Sequence, residues 1–358
     1  MRYVPIDNVT EGMVIGKSLF DLQQQLLLRE GSEIKRAYIH KIQSLGIQGL
    51  YIQDEVSKEI EIKDVISDTL RHKAVNAIKN VCIFSEQDLK KNSKTSFKDM
   101  KNIVKNIVED IISNKDTIIN LIDLKNYDDY TYYHSVNVAV ISIVMGISYG
   151  LNKDRLIELG LGAVLHDIGK MFIDKQILNK KGVLTEYEFE ELKKHPEIGY
   201  KYLKETFDIP IASYVGVLQH HERYDGKGYP NQKSGKEISL YGRIIAIADV
   251  YDALISNRPY RGALVPSEAM EYIMGNGNAL FDTNLIRLFV TKVAPYPIGL
   301  TVKLSNGLTG IVVENYEDAC MRPKIKIIKD EKNNAIEPYS ISLRSETQYR
   351  NVTIQEIV

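Results

Sequence analysis

From residue 65 to about residue 293, apolar side chains recur at intervals of three and four, as in VISDTLRHKAVNAIKNV, MKNIVKNIVEDII and RLIELGLGAVL. That period predicts amphipathic helices through most of the central chain. The most apolar stretch, VNVAVISIVMGISYGL (136–151), is shorter than the about 20 residues a membrane span needs. With Asn137 and two glycines inside it, it reads as a buried helix. Thr185 and Glu188 have the T-x-x-E spacing of a capping box and mark the start of the helix expected to carry His195.

The two ends have a different texture. In residues 1–54, MVIGKSLF and QQLLLREG predict short strands broken at Gly16 and Gly31. Residues 32–45 have helical spacing, Gly46 ends the helix, and GLYIQ reads as a strand. The charged run DEVSKEIEIKD (54–64) reads as a linker. Beyond Pro295 and Pro297, the runs LTVKL, TGIVVE, KIKIIK and VTIQEI alternate between apolar and polar, separated by SNG and DEKNN. They predict a small β module over 298–358, compatible with a barrel. The expected fold class is mainly α: a helical bundle over 65–297, a small N-terminal α/β domain over 1–54 and the C-terminal β module. Neither end carries a chemical motif, so both are expected to dock, dimerise or regulate.

The length of 358 residues accommodates such a division into two or three domains. Lys and Arg total 46 against 47 Asp and Glu, a net charge of −1, which gives no whole-molecule attraction for nucleic acid or acidic membrane. Any anion site must therefore be local. Cys82 and Cys320 lie far apart without a C-x-x-C pair, which argues against a disulfide framework and a thiolate zinc site. The start, MRYVPIDNVTEG, lacks the basic-then-apolar pattern of a signal peptide, and a cytoplasmic protein is expected.

Histidine placement changes the picture most. Five of the seven histidines fall between residues 134 and 221. The intervals from His134 to the adjacent His166 and Asp167, then to His195, to the adjacent His220 and His221, and to Asp249 each fit a helix and its connection. Successive helices can thus each project one or two side chains inward, a known way to build a metal site in an all-α core. A single histidine on an apolar helix is more often a hydrogen-bonded core residue. The adjacent His–Asp and His–His pairs, with a lysine three residues after the aspartate in HDIGK, shift the weight to a metal centre. Imidazoles and carboxylates without thiolate suit iron, manganese or zinc, and two ions can share the set through a bridging carboxylate. Asp249 lies in IIAIADVYDAL, where an unpaired carboxylate is costly. Asp252, on the same face, is the rival ligand, with a capping or structural role expected. His40 and His72, on charged stretches outside the cluster, read as ordinary surface histidines.

The runs HDIGK, HPEIGYKYL, QHHERYDGKGYP and ADVYDALISNRPYR together closely resemble the HD-GYP family of metal-dependent cyclic-dinucleotide phosphodiesterases, in continuous order over roughly residues 125–290. The resemblance implies an HD-type helical bundle led by helices from 65–125, and the N-terminal unit is similar to the small domain that precedes many such modules. It implies that His134, His166, Asp167, His195, His220, His221 and Asp249 ligate two divalent metal ions, iron or manganese, with Asp167 as the bridge. Lys170 matches the lysine that contacts the scissile phosphate. Tyr229, Arg258 and Arg261 match positions that hold the substrate's phosphates and bases. Trinuclear members carry a glutamate four residues before the first histidine. That position is Tyr130 here, and Asp128 and Asp129 are out of register with it, so two ions are expected rather than three. Glu222 is expected to orient an imidazole, and the turn at Gly226 and Gly228 to aim Tyr229 at the pocket.

The activity so implied is hydrolysis of cyclic di-GMP to pGpG, and in some cases onward to GMP, by in-line attack of a metal-bridging hydroxide. Metal binding lowers the pKa of water from about 15.7 towards about 7, and the metals with Lys170 stabilise charge developing on the phosphoryl oxygens. Asp167 and Lys170 are the expected catalytic residues. Within this reading 3′,3′-cyclic GMP-AMP stays open as the substrate. A catalytically silent nucleotide receptor is the alternative, although none of the seven ligand positions is lost. A nucleotide phosphohydrolase or a di-iron oxygenase is disfavoured by the GYP and RPYR segments. The expected partner is the cyclic dinucleotide rather than a DNA or RNA duplex or a membrane, with homodimerisation or a signalling protein as candidate regulators.

Overall fold

A computed structural model of the chain describes residues 1–20, 25–87, 92–114, 118–119, 130–180, 182–256 and 264–358. Its N-terminal unit contains β1 (Arg2–Pro5), β2 (Val14–Ile15), β3 (Leu19–Phe20), β4 (Leu26–Leu28), α1 (Arg36–Ser44) and β5 (Gly49–Gln53). β5 lies between β1 and β2 in an antiparallel sheet, and β3 pairs with β4. Ile15, Ile34, Ile42, Leu50 and Ile52 form its core. Helix α1 starts later than the apolar spacing predicts, because the backbone of Ile34 instead bonds to Met13 and Gly12. Residues 54–64 are anchored rather than a free linker. The Met1 ammonium donates to the carbonyls of Ser57 (2.6 Å) and Ile60 (2.7 Å), and Lys17 pairs with Asp64.

The central chain forms α2 (Asp68–Gln87), α3 (Asn92–Ser113), α4 (Tyr130–Tyr149), α5 (Lys153–Val164), α6 (Lys175–Leu178), α7 (Glu186–Leu192), α8 (His195–Thr206), α9 (Ile211–Gln219), α10 (Leu240–Ile255), α11 (Pro266–Gly275) and α12 (Thr283–Lys292). Its periodicity is that of the sequence: among the described side chains of α3 the buried ones are Phe97, Met100, Val104, Ile107, Val108 and Ile111, a single stripe. The apolar 136–151 run lies mostly in α4, and its residues 136–146 are buried against α5, α10 and neighbouring helices, while Tyr149 at its end is exposed. Helix α9 packs on α5, α8 and α10. The Thr185 capping box starts α7 and not the helix of His195. The break falls where it does because Pro196, lacking an N–H, is tolerated in the first turn of α8 but not inside a continuous helix.

The C-terminal strands β6 (Thr301–Leu304), β7 (Thr309–Glu314), β8 (Lys324–Lys329), β9 (Ala335–Ser342) and β10 (Ile354–Ile357) form one antiparallel sheet in the order β10-β6-β7-β8-β9. The sheet is open, since its outer strands β9 and β10 do not pair with each other. The sequence pattern missed β9, which contains Pro338 and has a largely exposed face. A proline is accommodated there because β9 is an edge strand. The module leans on the N-terminal unit, with the Tyr3 N–H donating to the Gly299 carbonyl at 2.9 Å. No helix of the described residues is long and apolar enough to cross a membrane.

Candidate metal centre

The expected ligands come mostly from helix ends. His134 lies near the start of α4 and Asp249 inside α10, while His166 and Asp167 form the turn after α5. His195 opens α8, and His220 and His221 follow α9 directly. The turn carrying Asp167 and the start of α8 meet at two glycines: Gly169 lies against the backbone of His195 and Gly199, with no room for a side chain.

Backbone carbonyls set the imidazoles. His166, His195 and His220 each place Nδ1 against the carbonyl three residues earlier, on Ala163 (2.7 Å), Leu192 (2.7 Å) and Val217 (2.6 Å). A carbonyl accepts only, so the hydrogen sits on Nδ1 and the Nε2 lone pair faces the cluster. His134 is oriented through a carboxylate instead: its Nδ1 lies 2.8 Å from Asp252 Oδ2, and the other oxygen of Asp252 accepts from Asn137 Nδ2 at 2.6 Å. Asp252 therefore orients the His134 imidazole, a structural role as expected.

All seven side chains converge. Three overlapping sets have donor atoms within 4.8 Å of one another: Asp167, His195, His220 and His221; His134, His166 and Asp167; and His166, His220 and Asp249. Asp167 belongs to two of them. Lone pairs point at lone pairs: His195 Nε2 lies 3.4 Å from both His220 Nε2 and Asp167 Oδ1. His166 Nε2 and Asp167 Oδ1 are buried without a hydrogen-bond partner among the described residues. Such an arrangement of acceptors is costly unless a cation sits between them, so the donor set fits divalent metal ions.

The charge states of the clustered groups differ. Burial pulls His195 down to about 3 and His221 to about 4 and drives His220 well below its ordinary value, so all three are neutral near pH 7. Burial opposes the charge on Asp167 and Asp249, yet Lys170 and His166 beside the first, and His134 and His166 beside the second, hold both well below the usual carboxylate range. Burial likewise opposes the proton of His134, but Asp249 and Asp252 outweigh it and raise this imidazole to about 9.

Lys170 Nζ donates to Asp167 Oδ2 at 2.6 Å from the edge of the cluster. A cavity of about 420 Å³ opens beside these two residues, walled by Ile78, Cys82, Met171 and Leu178. The Tyr229 ring stacks on His221 with centroids 4.8 Å apart, and the Tyr229 N–H donates to the His221 carbonyl at 3.1 Å. Gly226 has φ +80°, and a Cβ on Gly228 would come 2.2 Å from the Arg223 nitrogen, so the turn that holds Tyr229 requires both glycines. Arg258, Arg261, Asp128 and Asp129 lie outside the described residues, as does the Tyr130 side chain.

Two expectations are corrected. Among the described residues Glu222 bonds to no imidazole; it accepts the backbone N–H groups of Asn231 (2.7 Å) and Lys233 (3.0 Å), tying down the loop after Tyr229. His72 is not a surface histidine: it is half-buried, its Nδ1 lies 3.1 Å from the Tyr133 hydroxyl, and Phe20 packs on its ring edge. His40 is exposed as expected. Asn137 was overlooked, although its i+3 spacing from His134 places it on the same helix face.

Residues 106–285 match the family described as HD domain, and residues 301–354 match one described as KOW domain associated with HD domain. The chain belongs to the HD domain family. Its HDIGK, HPEIG, HHERYDGKGYP and ADVYDAL segments are those of the HD-GYP branch of that family. A Pseudomonas aeruginosa protein named cyclic di-GMP phosphodiesterase PA4108 is 37% identical over 225 residues, covering 63% of this chain and 54% of that protein. A Vibrio cholerae protein named 3′3′-cGAMP-specific phosphodiesterase 1 is 38% identical over 164 residues, 46% of this chain and 37% of that protein. The chain thus spans about half the length, or less, of the curated relatives it matches. In fold it is similar to Bd1817, an HDG“Y”P protein from Bdellovibrio bacteriovorus, with a TM-score of 0.51 at 19% identity over 80% of this chain and 97% of that one.

Proposed function

We propose that the chain is a metal-dependent phosphodiesterase that hydrolyses a cyclic dinucleotide, with cyclic di-GMP as the first candidate and 3′,3′-cyclic GMP-AMP as its rival. The observation that carries this reading is the buried set of facing Nε2 and carboxylate atoms, two of them without a hydrogen-bond partner among the described residues, beside a lysine and an open cavity. Relatives named for both nucleotides support the substrate class.

In this reading His134, His166 and Asp249 would hold one ion and His195, His220 and His221 the other, with Asp167 available to both. Iron or manganese matches the imidazole and carboxylate set. Two such ions supply Lewis-acid charge and a water acidic enough to attack near neutral pH. Hydrolysis forms one P–O bond from water and breaks the opposite P–O bond to ribose, so charge grows on the non-bridging oxygens. Lys170, fixed by Asp167, brings a positive charge to that place. Tyr229 stands at the rim, where burial pushes its phenol up and keeps it a hydrogen-bond donor to a substrate oxygen. Arg258 and Arg261 are assigned to the substrate's phosphates and bases on their sequence positions alone. We assign the chemistry to residues 65–297 and docking or regulation to 1–54 and 298–358.

The test is an anaerobic assay of protein loaded separately with Fe²⁺ and Mn²⁺, offered cyclic di-GMP and 3′,3′-cyclic GMP-AMP, with products resolved by chromatography. Linear dinucleotide or mononucleotide that disappears in Asp167→Ala is the expected result. Tight binding without product under either metal would leave a receptor instead.

A further inference from the structure

A hydrogen-bond chain runs from helix α2 into the metal centre, and its first member lies outside the matched HD segment of 106–285. Arg71 Nη1 donates to Asn137 Oδ1 at 2.6 Å, Asn137 Nδ2 donates to Asp252 Oδ1 at 2.6 Å, and Asp252 Oδ2 lies 2.8 Å from His134 Nδ1. The direction of this chain is set at its outer end. An amide can present either its oxygen or its nitrogen to a neighbour, and a carboxylate can only accept from nitrogen. A guanidinium can only donate, so Arg71 claims the amide oxygen and turns the NH₂ of Asn137 towards Asp252. Asp252 is then satisfied on one oxygen, and its other oxygen holds the hydrogen of His134 on Nδ1. The Nε2 of His134 is left facing Asp249 Oδ1 at 3.1 Å, in the cluster.

The N-terminal unit grips α2 on both sides of Arg71. Lys17 pairs with Asp68 at 3.1 Å, three residues before it. Phe20 of β3 packs edge-on against His72, the next residue, with ring centroids 5.8 Å apart, and His72 in turn meets the Tyr133 hydroxyl beside His134. We propose that Arg71 is a positioning residue of the metal centre, fixing the ligating orientation of His134 through Asn137 and Asp252, and that the N-terminal unit holds it in place. The inference rests on the metal-centre reading above. It gives the N-terminal unit a direct physical route to the site: a displacement of α2 by one hydrogen-bond length releases the Asn137 amide and with it the orientation of a ligand.

The test uses the full chain with Arg71→Met, Arg71→Lys and Phe20→Ala, reading Mn²⁺ affinity by calorimetry and the His134 Nδ1–H resonance in metal-free, ¹⁵N-histidine-labelled protein. Arg71→Met is expected to weaken Mn²⁺ binding by about 10–100-fold, the size of loss typical for partners that orient metal ligands, and to shift or broaden the resonance. Arg71→Lys, still a pure donor, is expected to retain most of the affinity and so to exclude a general loss of folding. Phe20→Ala is expected to weaken binding in the same direction by less. Wild-type affinity and an unchanged resonance in Arg71→Met would overturn the proposal, as would equal losses in the Met and Lys variants. An unaffected Phe20→Ala would remove the part played by the N-terminal unit. If the wild type binds no Mn²⁺, the metal reading itself fails, and the resonance alone then decides whether Arg71 orients His134.

Discussion

The α-carbon of Gly169 lies so close to the backbone of His195 that a Cβ there would come 1.9 Å from the His195 carbonyl oxygen and 2.7 Å from the Gly199 nitrogen. This contact joins the turn of His166 and Asp167 to the first turn of α8, and so fixes the distance between Asp167 and His195. Gly169→Ala forces the two backbones apart. It is expected to cost at least about 1–3 kcal/mol through overpacking, to lower the melting temperature and to reduce bound metal. Gly275→Ala, where nothing lies within 4 Å of the added carbon, is the matched control. It is expected to be neutral or stabilising by up to about 1 kcal/mol in the last turn of α11. Equal shifts in the two variants would remove the steric argument.

Lys170 and Asp167 are 2.6 Å apart but are expected to fail differently. Removing the lysine charge in Lys170→Met takes away a donor aimed at transition-state charge, and such losses typically lower kcat by about 10²–10³-fold. Metal content, measured by elemental analysis, is expected to hold. Asp167→Ala removes an atom from two of the three donor sets and is expected to empty the centre. A Lys170→Met protein that loses its metal would make the lysine a structural residue.

The clustered histidines and aspartates were legible in the sequence because adjacent His–Asp and His–His pairs are rare and the intervals between them fit helices. The helical bundle was legible from its period. What positions these side chains was not. His166, His195 and His220 are oriented by their own backbones, which no side-chain pattern announces. Arg71 meets Asn137, and Asn137 meets Asp252, across separate helices, and a chain read in order gives no sign of such a contact. His72 was misread because its surroundings in sequence are charged, whereas its surroundings in space include Phe20 and Tyr133. Strand β9 was missed because Pro338 and an exposed face erase the alternation that marks a buried strand.

Glu222 links the HHE segment to the loop after GYP. It is buried, which raises its carboxyl pKa against the opposing pull of the Asn231 and Lys233 N–H groups. Glu222→Ala removes the acceptor shared by those two backbone donors and loosens the segment that holds Tyr229 over His221. The expected signature is a raised KM for the cyclic dinucleotide with metal content unchanged. Lost metal with unaltered KM would show that Glu222 acts on the ligands after all.

The charge state of His134 makes metal binding and stability depend on pH in a defined direction. Its imidazole titrates at 6.5 in the unfolded reference and at about 9 in the metal-free fold, where Asp249 and Asp252 outweigh the effect of burial. The folded state therefore binds this proton more tightly. Its contribution to stability is complete below about pH 6.5 and is lost as pH rises through about 9. His195 and His221 act oppositely, since burial lowers them to about 3 and about 4. Their contribution is present above pH 6.5 and is lost as pH falls through those values. Thermal melts of metal-free protein are thus expected to show greatest stability near pH 6.5, with a decline on the alkaline side. A metal ion takes the Nε2 lone pair of His134 and displaces the proton it carries below about pH 9. Mn²⁺ affinity is then expected to rise with pH up to that value, and calorimetry in two buffers of different ionisation enthalpy is expected to detect a released proton at neutral pH. Asp252→Asn, which removes one of the two carboxylates holding the proton, is expected to reduce both the proton release and the alkaline decline. A metal-free melting temperature that stays flat from about pH 6.5 to 9.5 would show that His134 is neutral in the fold.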